Sequence, residues 1–216
     1  MFVDRQSELI FLNQLLARQK AHLVLLYGRR RVGKTSLLLH WAGQTQVETT
    51  YWAAEKEPGA LQRRKLYAQV LSIPVRRAPL FDSWAELWEA IADWAGSRRH
   101  ILILDELPYA IESDPATLSA LQHAWDQRFQ NSNLVIVLCG SQVKVMESIL
   151  YQQSPLFGRL TGQWHLQPLP FASLREFYPS YSAEERVALY AMVGPKVAKM
   201  LLANSKSHRS QLSKSR

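Results

Sequence analysis

The segment Gly28 to Thr35, with the sequence GRRRVGKT, limits the fold of this chain more than any other. It matches the pattern G-x-x-x-x-G-K-[ST]. The apolar run His22 to Tyr27 precedes it and predicts a buried strand, and residues 35–41 (TSLLLHW) predict the first turns of a helix. Glycines let such a loop wrap a phosphate, and the backbone amides and helix start supply donors. The segment therefore predicts a phosphate-binding loop (P-loop).

Each part of this loop has an expected chemical role. Lys34 is expected to reach the β- and γ-phosphates of a nucleoside triphosphate, and the hydroxyl of Thr35 to bind Mg²⁺. The remaining residues assigned to nucleotide binding are Gly28, Arg29, Arg30, Arg31, Val32, Gly33 and Ser36. The three arginines are interpreted as solvated charges that favour an anionic ligand, with a part in catalysis as the alternative.

Two acids follow a second apolar run. Residues 101–104 (ILIL) predict a strand covered on both faces, and Asp105 and Glu106 come directly after it. At the tip of a strand beside the P-loop, Asp105 would hold the Mg²⁺ shell. Glu106 would accept a proton from an attacking water. The plain alternative is a strand that ends in a polar turn.

Three further residues are candidates for contact with the γ-phosphate. Ser141 follows the predicted strand 134–138, and its hydroxyl could orient water or sense the phosphate, as could the amide of Gln142. A helix N-cap is the alternative for this position. Arg159 precedes the last predicted strand and could stabilise charge on the γ-phosphate. The contact could be within the chain or, in a homo-oligomer, across a subunit interface. A surface arginine is its alternative.

The order of predicted elements indicates the fold class. Apolar strands alternate with amphipathic helices, which is typical of an α/β domain with a parallel sheet. We predict an α/β fold with a parallel sheet of about five strands. The helix 84–95 carries a stripe of tryptophans, which is read as core, with a base-stacking surface as the alternative.

Composition bounds the setting of the protein. The 216 residues hold one cysteine, Cys139, so the chain has no internal disulfide, which fits a reducing compartment. No signal peptide and no membrane span is expected, and the predicted location is cytoplasmic. Six of the 26 Lys and Arg residues and none of the 18 acids lie in residues 196–216, so the net charge of +8 sits mainly in that segment. Such a segment can bind nucleic acid or act as a solvated end.

The motifs together resemble the archaeal-type ATPases of the STAND branch of AAA+-related P-loop proteins. The matching pieces are F-x-x-R-x-x-E-L at 2–9, the P-loop, LDE at 104–106, CGSQ at 139–142 and SPLFGRLTGQWHLQPLPF at 154–171. The resemblance implies an ATPase core over residues 1–178 that is a three-layer αβα sandwich of the P-loop type, with the opening box and its Arg5 near the adenine. It also implies a helical lid that begins in 179–195 and is incomplete here, and residues 196–216 are predicted to be a flexible basic tail.

The leading hypothesis is Mg²⁺-dependent ATP binding and hydrolysis, with nucleotide state coupled to movement of a lid or a neighbouring subunit. The alternatives are a slow or non-hydrolysing regulatory module and a DNA-associated ATPase that uses the basic tail. A GTPase is disfavoured because the chain has no N-K-x-D element for guanine.

Overall fold

The computed structural model describes residues 4–193. Five strands are present in this part of the chain: β1 His22–Tyr27, β2 Glu48–Ala53, β3 His100–Asp105, β4 Leu134–Gly140 and β5 Gly162–His165. The helices are α1 Gln6–Ala17, α2 Lys34–Gln44, α3 Gly59–Val70, α4 Trp84–Ala95, α5 Leu107–Ser113, α6 Thr117–Gln127, α7 Val143–Ser148, α8 Leu174–Phe177 and α9 Ala183–Val193. Short 3₁₀ turns occupy Val75–Arg77, Phe129–Asn131 and Phe171–Ser173.

The five strands form one parallel sheet in the order β2-β3-β4-β1-β5. Strands β1, β3 and β4 are buried along their whole length, which explains why their sequences are continuously apolar rather than alternating. The register aligns the ends of neighbouring strands, with Tyr27 opposite Gly140 and Ala53 opposite Asp105. The loops after β1, β3 and β4 therefore meet at one edge of the sheet.

Helices cover both faces of the sheet. Alternate β1 residues point to opposite sides: Leu23 and Leu25 join the core under α3 to α7, whereas Val24 and Leu26 join the core under α1 and α2. The predicted three-layer αβα sandwich with a five-stranded parallel sheet is thus confirmed.

The predicted strands at 22–27, 101–104 and 134–138 and the predicted helix at 84–95 agree with the structure to within two residues. The hydroxyl of Ser83 accepts a hydrogen bond from the Glu86 amide at 3.2 Å, as expected of an N-cap at the start of α4. Trp84 and Trp88 are each 1% exposed, so the tryptophan stripe belongs to the core. One element was missed: α5 begins immediately after the acids, because Pro108 fits the first turn of a helix.

Three predicted segments lie wholly or partly outside the described residues. These are the opening box at 2–9, of which Phe2 and Val3 are outside, the end of the lid segment 179–195, and the whole basic segment 196–216. Within residues 4–193, none of the helices has the length and apolar character that crossing a bilayer requires.

The start of β1 makes the stability of the fold depend on pH. His22 is fully buried, and its Nδ1 lies 3.0 Å from the hydroxyl of Thr161 at the start of β5. Burial, and then the nearby charges of Arg99, Lys20 and Arg18, lower the pKa of His22 from 6.5 to about 4. Between pH 6.5 and about pH 4, protonation of His22 therefore favours the unfolded chain.

We expect the free energy of unfolding to fall as pH drops below 6.5, by about 2 kcal/mol from this group at pH 5. Urea denaturation at pH 7.5 and pH 5 measures the loss. The variant His22→Gln has no proton to take up at this position, so its pH dependence should be weaker by that amount. An equal slope for both proteins would contradict the prediction.

Candidate nucleotide site

The P-loop follows β1 at the carboxyl edge of the sheet. A Cβ atom at Gly28 would lie 2.3 Å from the backbone oxygen of Leu166, so only glycine fits where the loop leaves the strand. Gly33 adopts φ 97° immediately before α2, a left-handed conformation that glycine adopts without strain. Arg31 adopts φ 71° between them. These turns bring the loop back over the start of α2, whose first amides have no partner within the helix.

Lys34 lies inside this loop. Its side chain is only 6% exposed, and its Nζ donates to the backbone oxygens of Gly28 at 3.0 Å and Arg29 at 3.2 Å. An ammonium group has three donors, so one remains for a ligand when both contacts persist. The buried ammonium and the helix N-terminus place positive charge on one point, which suits a phosphate.

A hydroxyl and a carboxylate meet beside the loop. The Thr35 hydroxyl donates to Oδ2 of Asp105 at 2.6 Å, although the two residues lie 70 positions apart in the chain. Asp105 is 1% exposed, and its Oδ1 accepts a hydrogen bond from the Glu106 amide at 2.8 Å. Hard oxygen donors of this kind are the ligands that Mg²⁺ prefers, so the pair fits a magnesium shell.

Two residues around Asp105 were not recognised in the sequence. The Tyr51 hydroxyl donates to Asp105 Oδ2 at 2.9 Å, and the buried Cys139 at the end of β4 lies close enough for the Asp105 charge to act on its thiol. Burial, and then Asp105, raise the pKa of Cys139 well above its usual value, so the thiol stays protonated. The sequence showed only that each lies in or next to an apolar or β-prone segment. The order of the strands was needed to place them beside Asp105.

Glu106 and Ser141 form a second polar pair. Glu106 adopts φ 50°, and its Oε2 accepts hydrogen bonds from the Ser141 hydroxyl at 2.8 Å and the Ser141 amide at 3.2 Å. The N-cap alternative for Ser141 was wrong, because the N-cap position of α7 is Gln142. The Gln142 side chain makes no capping hydrogen bond. The structure thus places Ser141, a candidate for contact with the γ-phosphate, against Glu106, the candidate base.

Arg5 connects the opening box to the P-loop. Its guanidinium is buried and donates to Glu8 Oε1 at 2.8 Å and to the backbone oxygens of Val32 and Gln167, both at 2.9 Å. These contacts occupy Arg5 with protein groups on three sides. The side chain thereby holds the start of α1, the P-loop and the segment after β5 in one arrangement.

Arg159 lies at the amino edge of the sheet, where the strands begin, at the end away from the P-loop. Its guanidinium forms a two-bond ion pair with Asp126 at 2.8 and 2.7 Å. The nearby Thr161 amide donates to the Leu23 oxygen near the start of β1. Gly28 lies five positions after Leu23, which corresponds to about 16 Å along a strand. A contact between Arg159 and this chain's own P-loop is therefore out of reach without rearrangement.

The other predicted loop residues divide by burial. Arg29, Arg30 and Arg31 are exposed, as the solvated-charge interpretation expects, whereas Val32 is buried under α1 and α2. Ser36 is half-buried in the first turn of α2.

A parallel sheet of this strand order, with a phosphate loop after β1 and an acid pair after β3, defines a P-loop ATPase domain. Comparison with known families supports this class, since residues 2–200 match the ATPase domain found predominantly in Archaea. The chain belongs to that family.

Two relatives from Methanocaldococcus jannaschii are similar in sequence. An uncharacterized protein is 35% identical over 191 residues, which are 88% of this chain and 41% of the relative. An uncharacterized ATP-binding protein is 58% identical over 38 residues, 18% of this chain and 64% of the relative. The chain thus spans less than half the length of the first relative.

Solved structures share the fold. A Walker-type ATPase of Pyrococcus abyssi has a TM-score of 0.62 and 20% identity, over 93% of this chain and 66% of that one. The ORC1 protein of Aeropyrum pernix, solved in complex with DNA, has a TM-score of 0.63 and 18% identity, over 97% of this chain and 62% of that one.

Proposed function

We propose that this domain binds ATP with Mg²⁺, hydrolyses it, and couples the state of the nucleotide to a conformational change. The observation that carries the proposal is the 2.6 Å contact between the Thr35 hydroxyl and Asp105, beside the buried ammonium of Lys34. We also retain the prediction that the chain belongs to the STAND branch.

The residues present have the right chemistry for a triphosphate and its metal. The P-loop amides and Lys34 would hold the β- and γ-phosphates, and Thr35 with Asp105 would hold the magnesium shell. Bound Mg²⁺ would neutralise charge on the phosphate oxygens. The exposed Arg29, Arg30 and Arg31 add positive charge around the entrance, which raises the local concentration of an anionic ligand.

Glu106 is the proposed general base. It follows the metal-site acid directly, and its left-handed backbone turns the side chain toward the end of β4 rather than along β3. Ser141 donates two hydrogen bonds to one carboxylate oxygen, and the other oxygen, Oε1, remains to accept a proton from water. Ser141 thus serves as a positioning residue for Glu106.

The contacts of Arg5 support coupling to distant elements. Arg5 holds both Val32 in the P-loop and Gln167 after β5, and Asp4 contacts the hydroxyl of Ser173 ahead of α8. A shift of the loop on nucleotide binding would therefore displace the chain that leads to α8 and α9, the proposed start of the lid. Coupling of this kind needs a difference in contacts between the two nucleotide states.

The proposed part of Arg159 requires a second subunit. Since it lies at the edge away from the P-loop, it can approach a γ-phosphate only when it belongs to a neighbouring copy of the chain, and the Asp126 ion pair must then open. A homo-oligomer with the edge of one subunit against the P-loop of the next would satisfy this condition.

Phosphate release from ATP tests the proposal directly. We expect turnover in the presence of Mg²⁺ and none in excess EDTA. If Arg159 acts from a neighbour, the rate per subunit should rise with protein concentration, and Arg159→Ala should remove the rise. Absence of ATP binding by calorimetry would exclude the proposal, whereas binding without turnover would favour the regulatory-module alternative.

A further inference from the structure

Tyr51 stands out because its hydroxyl faces the metal-site acid from a strand that carries no part of the recognised motifs. It lies on β2, the edge strand, and its ring is half-buried against the core under α1 and α2. The register places Ala53 opposite Asp105, and Tyr51 points to the same face two residues earlier. The length of a tyrosine side chain spans that offset and brings the hydroxyl to 2.9 Å from Oδ2.

Each oxygen of Asp105 has its own donors. The Glu106 amide holds Oδ1, while the hydroxyls of Tyr51 and Thr35 both donate to Oδ2. Without the Tyr51 hydrogen bond, Thr35 would be the only one of these two hydroxyls that donates to Oδ2. Thr35 is also the residue whose oxygen would bind the metal, so it could not orient Asp105 independently.

The Tyr51 hydroxyl is the donor in this contact, and the Asp105 carboxylate oxygen is the acceptor. A hydrogen bond from a neutral donor to a charged carboxylate is among the stronger ones in proteins.

We propose that Tyr51 is a positioning residue for magnesium, which fixes the Asp105 carboxylate in the orientation that receives the metal's water shell together with Thr35. It acts through Asp105 and contacts neither the nucleotide nor the reacting atoms. This inference rests on the proposed Mg²⁺ and ATP site and adds a residue to it.

The test is magnesium-dependent binding of a fluorescent, non-hydrolysable ATP analogue, followed by anisotropy. For Tyr51→Phe we expect the Mg²⁺ concentration at half-saturation to rise about tenfold, the range set by loss of one hydrogen bond to a charged group. Affinity for the analogue in EDTA should stay within about twofold of wild type, because the P-loop and Lys34 are untouched.

Tyr67→Phe is the matched control. Tyr67 is a residue of α3, and its ring packs against Phe81. Its hydroxyl forms no hydrogen bond within residues 4–193. This variant should show the Mg²⁺ dependence of wild type. Thermal denaturation without nucleotide checks that both variants are folded.

Three outcomes would contradict the inference, and they differ in what they mean for the proposed metal site. A Tyr51→Phe protein with the wild-type Mg²⁺ dependence overturns the inference while the proposed site stands. Equal losses of affinity with and without Mg²⁺ also overturn it, since they indicate a general structural role. A wild-type protein that binds the analogue with no dependence on Mg²⁺ overturns both the inference and the proposed metal site.

Discussion

Lys34→Ala should abolish ATP binding. The variant removes the one ammonium group that the fold buries inside the P-loop, where it contacts the backbone oxygens of Gly28 and Arg29. Charge-assisted hydrogen bonds to phosphate are lost, and the loop carbonyls face the ligand without their cation. We expect a fall in affinity of at least about 100-fold, measured by isothermal titration calorimetry with Mg²⁺ and ATP.

Lys56→Ala provides the control for loss of one positive charge. Lys56 is exposed after β2, outside the P-loop segment, and its ammonium lies 5.6 Å from the centre of the Tyr109 ring. Its affinity for ATP should match that of wild type. An affinity of Lys34→Ala within about twofold of wild type would count decisively against a nucleotide in this loop.

Glu106→Gln should bind ATP normally and hydrolyse it very slowly. The amide keeps the size of the side chain and an oxygen that can accept the hydrogen bonds from Ser141, so the site keeps its shape. It cannot accept a proton from the attacking water. Loss of a general base typically lowers the rate by roughly 10²- to 10⁴-fold, and we expect turnover to fall in that range.

Phosphate release and calorimetry on the same sample separate the two effects. Glu112→Gln, which neutralises an exposed carboxylate on α5, should leave both measurements unchanged. If Glu106→Gln turned over at the wild-type rate, another group would have to be the base. If it failed to bind ATP, Glu106 would have a structural rather than a chemical part.

Much of the site was accessible from the sequence because its parts are local. A strand, a glycine-bounded loop with Lys-Thr and a helix lie within about twenty consecutive residues, and short-range sterics and helix-end donors set their geometry. Asp105 was recognisable because a continuous apolar run ends at it. The predicted α/β fold with a parallel sheet followed from alternating apolar segments in the same way.

The relations that the sequence left open are those between distant segments. Ser141 was equally readable as a helix cap, and only the approach of β4 to β3 showed that its hydroxyl contacts Glu106. Arg159 precedes β5 and so lies at the amino edge of the parallel sheet, away from the P-loop, but only the structure showed that Asp126 holds it there. Arg5, expected near a nucleotide base, donates its hydrogen bonds to protein oxygens.

The amino-acid sequence alone determined the phosphate loop, the acid that follows the third strand and the class of fold, since each depends on neighbours along the chain. Only the tertiary structure decided what surrounds that acid. Tyr51 and Cys139 reach Asp105 because β2 and β4 flank β3 in a particular order and register, which long-range packing sets.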